Sequence, residues 1–168
     1  MVISFFVPGI PAPGGSKKGF VNPKTGHVVI VDDAKYNKDW RKTVSAEAFA
    51  HLQSINITTP MRCPLRVNVC FCLPRPKGHY RTGKNVGLLR RGSPVYHTIR
   101  PDATKLWRST EDALTGIAWY DDAQIVSQRV RKTYTNPQLD MRLAMQEPLR
   151  VGTVPGALIE ITVIGDYK

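Results

Sequence analysis

The stretch 99–132, IRPDATKLWRSTEDALTGIAWYDDAQIVSQRVRK, constrains this chain most, because it couples a helical pattern to a strand pattern across a single turn. Pro101-Asp102 is a helix starter. Ala103, Leu106, Trp107, Thr110, Ala113 and Leu114 recur at helical spacing, which predicts a helix over 102–114 with one buried face. Thr115-Gly116 is the stop, since glycine takes the left-handed cap conformation readily. Thr104, Lys105, Arg108, Glu111 and Asp112 form the polar face. A short apolar run, 117–120, leads to Asp121-Asp122. Alternation then predicts a strand over 124–134 with one wet side.

Five of the 13 acidic residues, Asp102, Glu111, Asp112, Asp121 and Asp122, fall in this stretch, although the net charge is +11. Each has a plain structural reading. Asp102 suits a helix N-cap, Asp121-Asp122 suits a solvated turn, and Glu111 can pair with Arg108 one turn away. Taken together, carboxylates within a basic protein suit a hard cation. Mg²⁺ takes only a few carboxylates from protein and completes its shell with water and phosphate. In a nuclease such an ion polarises the phosphate and lowers the pKa of the attacking water, while basic surroundings hold the nucleic-acid backbone.

The run Pro101-Asp102-x-Thr104-Lys105-Leu106, continuing to Asp112-Ala113-Leu114-Thr115-Gly116, resembles the signature of the RusA-type Holliday junction resolvases, as does Trp119-x-Asp121-Asp122-Ala123-Gln124-Ile125-Val126. The resemblance implies a small homodimeric endonuclease, typical of phages and prophages, that resolves four-way DNA junctions in recombination and repair. It implies Mg²⁺ as cofactor, with Mn²⁺ able to substitute. By position, Asp102 and Asp122 match metal ligands, with Asp121 the neighbouring acid. Arg108 stands where the family pattern has a catalytic lysine. With Lys105 it would neutralise charge building on the phosphate. Thr104 and Lys105 occupy places where that pattern has aspartate and asparagine, so a third carboxylate is missing. Glu111 lies seven residues beyond Thr104, about 10 Å along a helix axis, too far simply to replace it.

With 168 residues, the chain is expected to form one domain spanning 1–168. No apolar run approaches a membrane span. Residues 1–13 lack a basic stretch followed by an apolar core, so no signal peptide is expected and the cytoplasm is the expected location. Cys63, Cys70 and Cys72 cluster around one strand and read as free thiols rather than a zinc site. A pI near 9.9 points to nucleic acid among the possible acidic partners.

In chain order, residues 2–7 read as a strand and Gly14-Gly15-Ser16-Lys17-Lys18 as a flexible basic loop. Asn22-Pro23-Lys24-Thr25-Gly26 between two apolar runs is a hairpin signal. A helix is expected from Asp32 or Asp33 to about Leu52, packing through Tyr36, Trp40, Val44 and Ala48. Residues 65–73 are the central strand. Residues 74–100 contain no acid and read as a long, mobile basic loop with interleaved His79, Tyr80, Tyr96 and His97, suited to phosphate contacts and base stacking. The candidate DNA-binding residues are Lys17, Lys18, Arg75, Lys77, Arg81, Lys84, Arg90, Arg91, Arg100 and Lys105. A short helix is expected over 139–145 and a closing strand over 156–165.

These readings predict an α+β fold: one domain with a mixed, mostly antiparallel sheet and two main helices, RusA-like. The expected function is Mg²⁺-dependent, structure-selective DNA cleavage with Asp102, Asp122 and Arg108 as catalytic residues and Asp102, Asp121 and Asp122 around the metal. The expected partners are a four-way junction and a second copy of the chain, with no membrane. The rival is a non-catalytic module that binds DNA junctions. A metal-dependent nuclease on flaps or RNA is a third reading.

Overall fold

The computed structural model describes residues 1–14, 17–32, 36–136 and 153–165. Its elements are β1 (Val2–Pro8), β2 (Lys17–Val21), β3 (Val28–Asp32), α1 (Asn37–Ser54), β4 (Leu65–Leu73), α2 (Ala103–Leu114), β5 (Ile125–Tyr134) and β6 (Gly156–Val163). Four strands form one sheet in the order β1-β6-β4-β5, and β2 pairs with β3 as a separate hairpin. The β1–β6 and β6–β4 pairs are antiparallel, whereas β4 and β5 run parallel. Parallel neighbours need a crossover that returns the chain to the sheet's starting end. Here α2 supplies it.

Both helices cover one face of the sheet. Ile3, Phe5, Val7, Val67, Val69, Phe71, Ile159 and Ile161 meet Trp40, Val44, Ala48, Leu52, Leu106 and Leu114 in one core. The strands expose this set because alternate residues share a face. Polar bonds fix the two helices to each other. The Trp40 indole donates to Thr110 Oγ1 at 3.1 Å and the Ser45 hydroxyl to the Ala113 carbonyl at 2.8 Å. On the opposite sheet face, Cys70, Cys72 and Leu158 form a small buried group with Phe6 against it. Bonding to Cys72 and burial push the Cys70 thiol far up, so it stays protonated. Gly156 lets β1 and β6 approach: a Cβ there would collide with the Val7 carbonyl and the Phe6 ring.

The expected central strand, hairpin and motif helix form as the patterns predict. The structure differs elsewhere. Lys17 and Lys18 belong to β2, in register with Asp32 and Val31, not to a flexible loop. The described helix α1 begins at Asn37, and Tyr36 just before it is 66% exposed rather than packed. Asn37 and Leu52 take its place in the buried stripe. The basic segment 74–100 is pinned rather than free. It contains 3₁₀ turns at Lys77–His79 and Gly83–Asn85, a Tyr80–Leu89 bridge and a Tyr96–Thr133 bridge onto β5. The short helix expected over 139–145 lies outside the described residues.

Candidate active site at the two ends of one helix

Topology decides where the acids go. Asp102 follows the segment leaving the C-terminal end of β4, while Asp121 and Asp122 precede the N-terminal end of β5. Because β4 and β5 are parallel, those are opposite ends of the sheet. The 12 residues of α2 lie between them, about 18 Å at 1.5 Å per residue. The helix and the acidic turn therefore do not pack at one end, and one chain does not bring Asp102 and Asp122 to a common ion. Within one chain the expected ligands Asp102 and Asp122 therefore stand at opposite ends of α2. Among the described residues no three His, Cys, Asp or Glu side chains form a group able to hold a metal.

At the first end, the Asp102 carbonyl accepts the Leu106 N–H at 3.1 Å, but its carboxylate makes no capping bond. That carboxylate lies 3.7 Å from Lys105 Nζ. The approach to α2 is held by β5: Lys132 Nζ donates to the carbonyls of Ile99 and Pro101 at 2.8 and 2.6 Å. Beside Asp102 opens a cavity of about 1240 Å³ between the chain after β1, the start of α1 and residues 97–105. His97 lines it and is only 7% exposed, and its Nδ1 has no partner among the described residues. Burial first, and the Lys132 charge second, hold His97 below the usual histidine range, favouring the neutral ring.

At the other end, the carboxylates cluster. Asp122 Oδ1 accepts from the Trp119 indole at 2.9 Å and from the Thr115 hydroxyl. Glu111 lies close by. Burial, then the charges of Asp122 and Asp112, raise its carboxyl above the usual range, while Trp107 and Arg108 pull it back. Asp112 also pairs with Arg41 at 3.5 Å on the α1 side. Asp121 shapes the turn itself. Its carboxylate accepts the Ala123 N–H at 2.8 Å in a reciprocal capping box with Gln124. Gln124 in turn ties the turn to the Met61 and Cys63 carbonyls at 2.9 and 3.1 Å. Arg62 stacks on Tyr120 at 3.7 Å, beside the same turn.

Exposed cations flank both ends. Lys77, Arg81, Lys84, Arg90, Arg91, Arg100, Lys105 and Arg108 are all exposed, as is Thr104 in the first turn of α2. Arg81 and Arg90 each give their Nε to a loop carbonyl, stitching the Tyr80–Leu89 bridge. Arg75, half-buried, differs from these in its contacts. Its guanidinium bonds the Thr135 and Pro94 carbonyls at 2.9 and 2.8 Å and lies 5.0 Å from the Tyr134 ring centroid, so it fastens the loop. Sequence reasoning missed Lys132 and the Glu111–Asp122 proximity. The Trp119-x-x-Asp122 spacing was the available signal for the last, because it places a donor beside the acid.

No described helix is long and apolar enough to cross a membrane. Residues 10–144 match the family described as endodeoxyribonuclease RusA. An uncharacterized Bacillus subtilis (strain 168) protein, YqaN, is 28% identical over 142 residues, covering 84% of this chain and 94% of that protein. The family match takes in both helices, the basic segment and both acid-bearing ends of α2. On that extent of agreement, this chain belongs to the RusA family of endodeoxyribonucleases.

Proposed function

We propose that the chain is a divalent-metal-dependent endonuclease that resolves four-way DNA junctions as a homodimer in a bacterial or phage-infected cytoplasm. The observation that carries this reading is the Glu111–Asp122 pair. Burial, and after it the charge of Asp122, raises the Glu111 carboxyl, and a cation between the two acids would relieve that repulsion. Mg²⁺ accepts one or two carboxylates and leaves its remaining positions to water and phosphate oxygens. The residues present fit that requirement, with Thr115 and Trp119 fixing one oxygen of Asp122. Mn²⁺ shares the preference for oxygen ligands. When bound, the ion supplies phosphate polarisation and a more acidic attacking water.

The chain's own groups do the rest. Arg108, next to Glu111, neutralises charge on the phosphate under attack. Asp121 keeps the turn folded, so that Asp122 stays aimed. Exposed cations of residues 77–100, with Lys105 and the β2 residues Lys17 and Lys18, hold the DNA backbone by charge. Asp102 and Asp122 join one ion only if two copies of the chain supply one each. A role of Asp102 beside Asp122 in metal binding therefore requires the homodimer.

A second reading, a junction-binding module without catalysis, is favoured by Thr104 at the position of a family carboxylate. The deciding experiment is cleavage of an end-labelled four-way junction with Mg²⁺, with Mn²⁺ and with chelator, beside linear duplex. Paired metal-dependent cuts confined to the junction are expected. Tight junction binding without cuts under either metal would make the binding module the better account.

A further inference from the structure

We infer that the cavity beside Asp102 receives a nucleotide unstacked from the DNA branch point. This rests on the reading above that branched DNA is the substrate, and it adds where and how that DNA is engaged. An extruded nucleotide presents three things: a flat ring with apolar faces, a polar base edge and a phosphate. The cavity offers a counterpart to each. Pro11, Pro13 and Leu73 give apolar walls, and Tyr36, 66% exposed at the rim, gives a stacking face. His97, more than nine-tenths buried, is part of the cavity wall. Its Nδ1 lies just behind that wall with no partner among the described residues, a donor or acceptor that a polar base edge would meet once the ring turns. Arg100 and Lys105 stand at the same cavity as phosphate partners.

The volume and the charges narrow the ligand further. About 1240 Å³ exceeds the roughly 300–1,000 Å³ of small-ligand sites, so base, sugar and adjoining backbone fit together. Asp39 and Asp102 also line it. Carboxylates there disfavour a free polyphosphate and accept from the exocyclic amino groups of adenine, cytosine or guanine. Unstacking a base costs least where pairing is already interrupted, which is the condition at a junction's crossing point. The cavity adjoins the basic segment that ends at Arg100, so a strand held on that segment leads to it.

Photocrosslinking tests this with the full chain in chelator, where binding occurs without cleavage. A four-way junction carries 5-iodocytosine either at the branch nucleotide or inside an arm, and anisotropy reports binding of each. The branch probe should crosslink to Tyr36, Trp40 or His97, located by peptide mass spectrometry, and the arm probe should not. Tyr36→Ala, an exposed position that leaves the core intact, should cut the yield and weaken junction binding about ten-fold. His97→Leu should also lower the yield, with circular dichroism confirming that it folds. A bound junction whose branch probe crosslinks nowhere, or outside the cavity, overturns the inference. So does a yield that both variants leave unchanged. Crosslinks in a chain that never cuts under Mg²⁺ or Mn²⁺ support the cavity while the nuclease reading falls. Junction cleavage without them does the reverse.

Discussion

At the start of α2, Asp102 faces Lys105 and an apolar cavity, and nearby His97 is held neutral by burial. At its finish, Asp122 is gripped by Thr115 and Trp119 and lies near Glu111, whose carboxyl is pushed toward protonation. The first end sets Asp102 and Asp39 among cations and apolar walls, a setting for a DNA strand. The second gathers negative charge, a setting for a cation. The helix holds the two apart by about 18 Å. Acids that are compact in sequence thus lie at two separate places in space, and the parallel β4–β5 pairing is the reason.

The largest effect should come from the acid that the fold orients most firmly. Asp122→Asn keeps the shape and the bonds from Thr115 and Trp119 but removes the charge. Junction cleavage should fall by about 10²–10³ or more, as when other preorganised charge partners are lost, with junction affinity in chelator unchanged. Equal loss of binding and cleavage would erase the distinction between the two ends.

Stability should fall at both ends when their clasps are cut. Lys132→Met releases the Ile99 and Pro101 carbonyls. Charged hydrogen bonds are worth about 1.5–3 kcal/mol each, and a chain of this size shifts by about 2–4 °C per kcal/mol. Because Lys132 is only partly buried, the two bonds together are taken as about 1.5–3 kcal/mol, and a drop of roughly 3–12 °C in Tm is expected, with junction binding weakened because the Asp102 approach loosens. Gln124→Ala should lower Tm comparably, because it frees the acidic turn from Met61 and Cys63. It should depress cleavage more than binding.

The smallest effects are pH-dependent and opposite in sign. Glu111 has a raised folded pKa, so its contribution to stability is present below the ordinary glutamate range and lost as pH rises through the folded value. Glu111→Gln should raise Tm slightly at about pH 7 while lowering cleavage. His97 has a depressed folded pKa, so its contribution is present above the ordinary histidine value and lost as pH falls from there through the lower folded value. His97→Gln should flatten the decline of Tm between about pH 7 and pH 5. Thermal melts across pH read both.

Much of this was legible in the residues. The period of Leu106, Trp107, Ala113 and Leu114 located α2, and Leu65, Val67, Val69 and Phe71 located β4 with its core face. The Asn22 to Gly26 turn located the hairpin. Periodicity reports which face of an element is buried, however, not which end of a sheet it meets. The separation of Asp102 from Asp122 depends on β5 lying parallel to β4, a long-range pairing with no local signature. Arg75 and Lys132 were unreadable for a related reason. A cation that bonds carbonyls distant in sequence looks, in sequence, like a cation for phosphate. Asp121 reads in sequence as an acid beside Asp122, and its i,i+3 relation to Gln124 also spells the capping box seen in the fold.

The most direct test of the two-ended account pairs two inactive chains. Asp102→Asn and Asp122→Asn proteins, coexpressed with different tags and purified through both, form mixed dimers. If the two acids meet only between copies, one of the two sites in each mixed dimer is intact. The mixed protein should then nick a labelled four-way junction with Mg²⁺ although each variant alone does not. Mixed dimers as inactive as their parents would contradict the account, because each site would then draw both acids from a single chain.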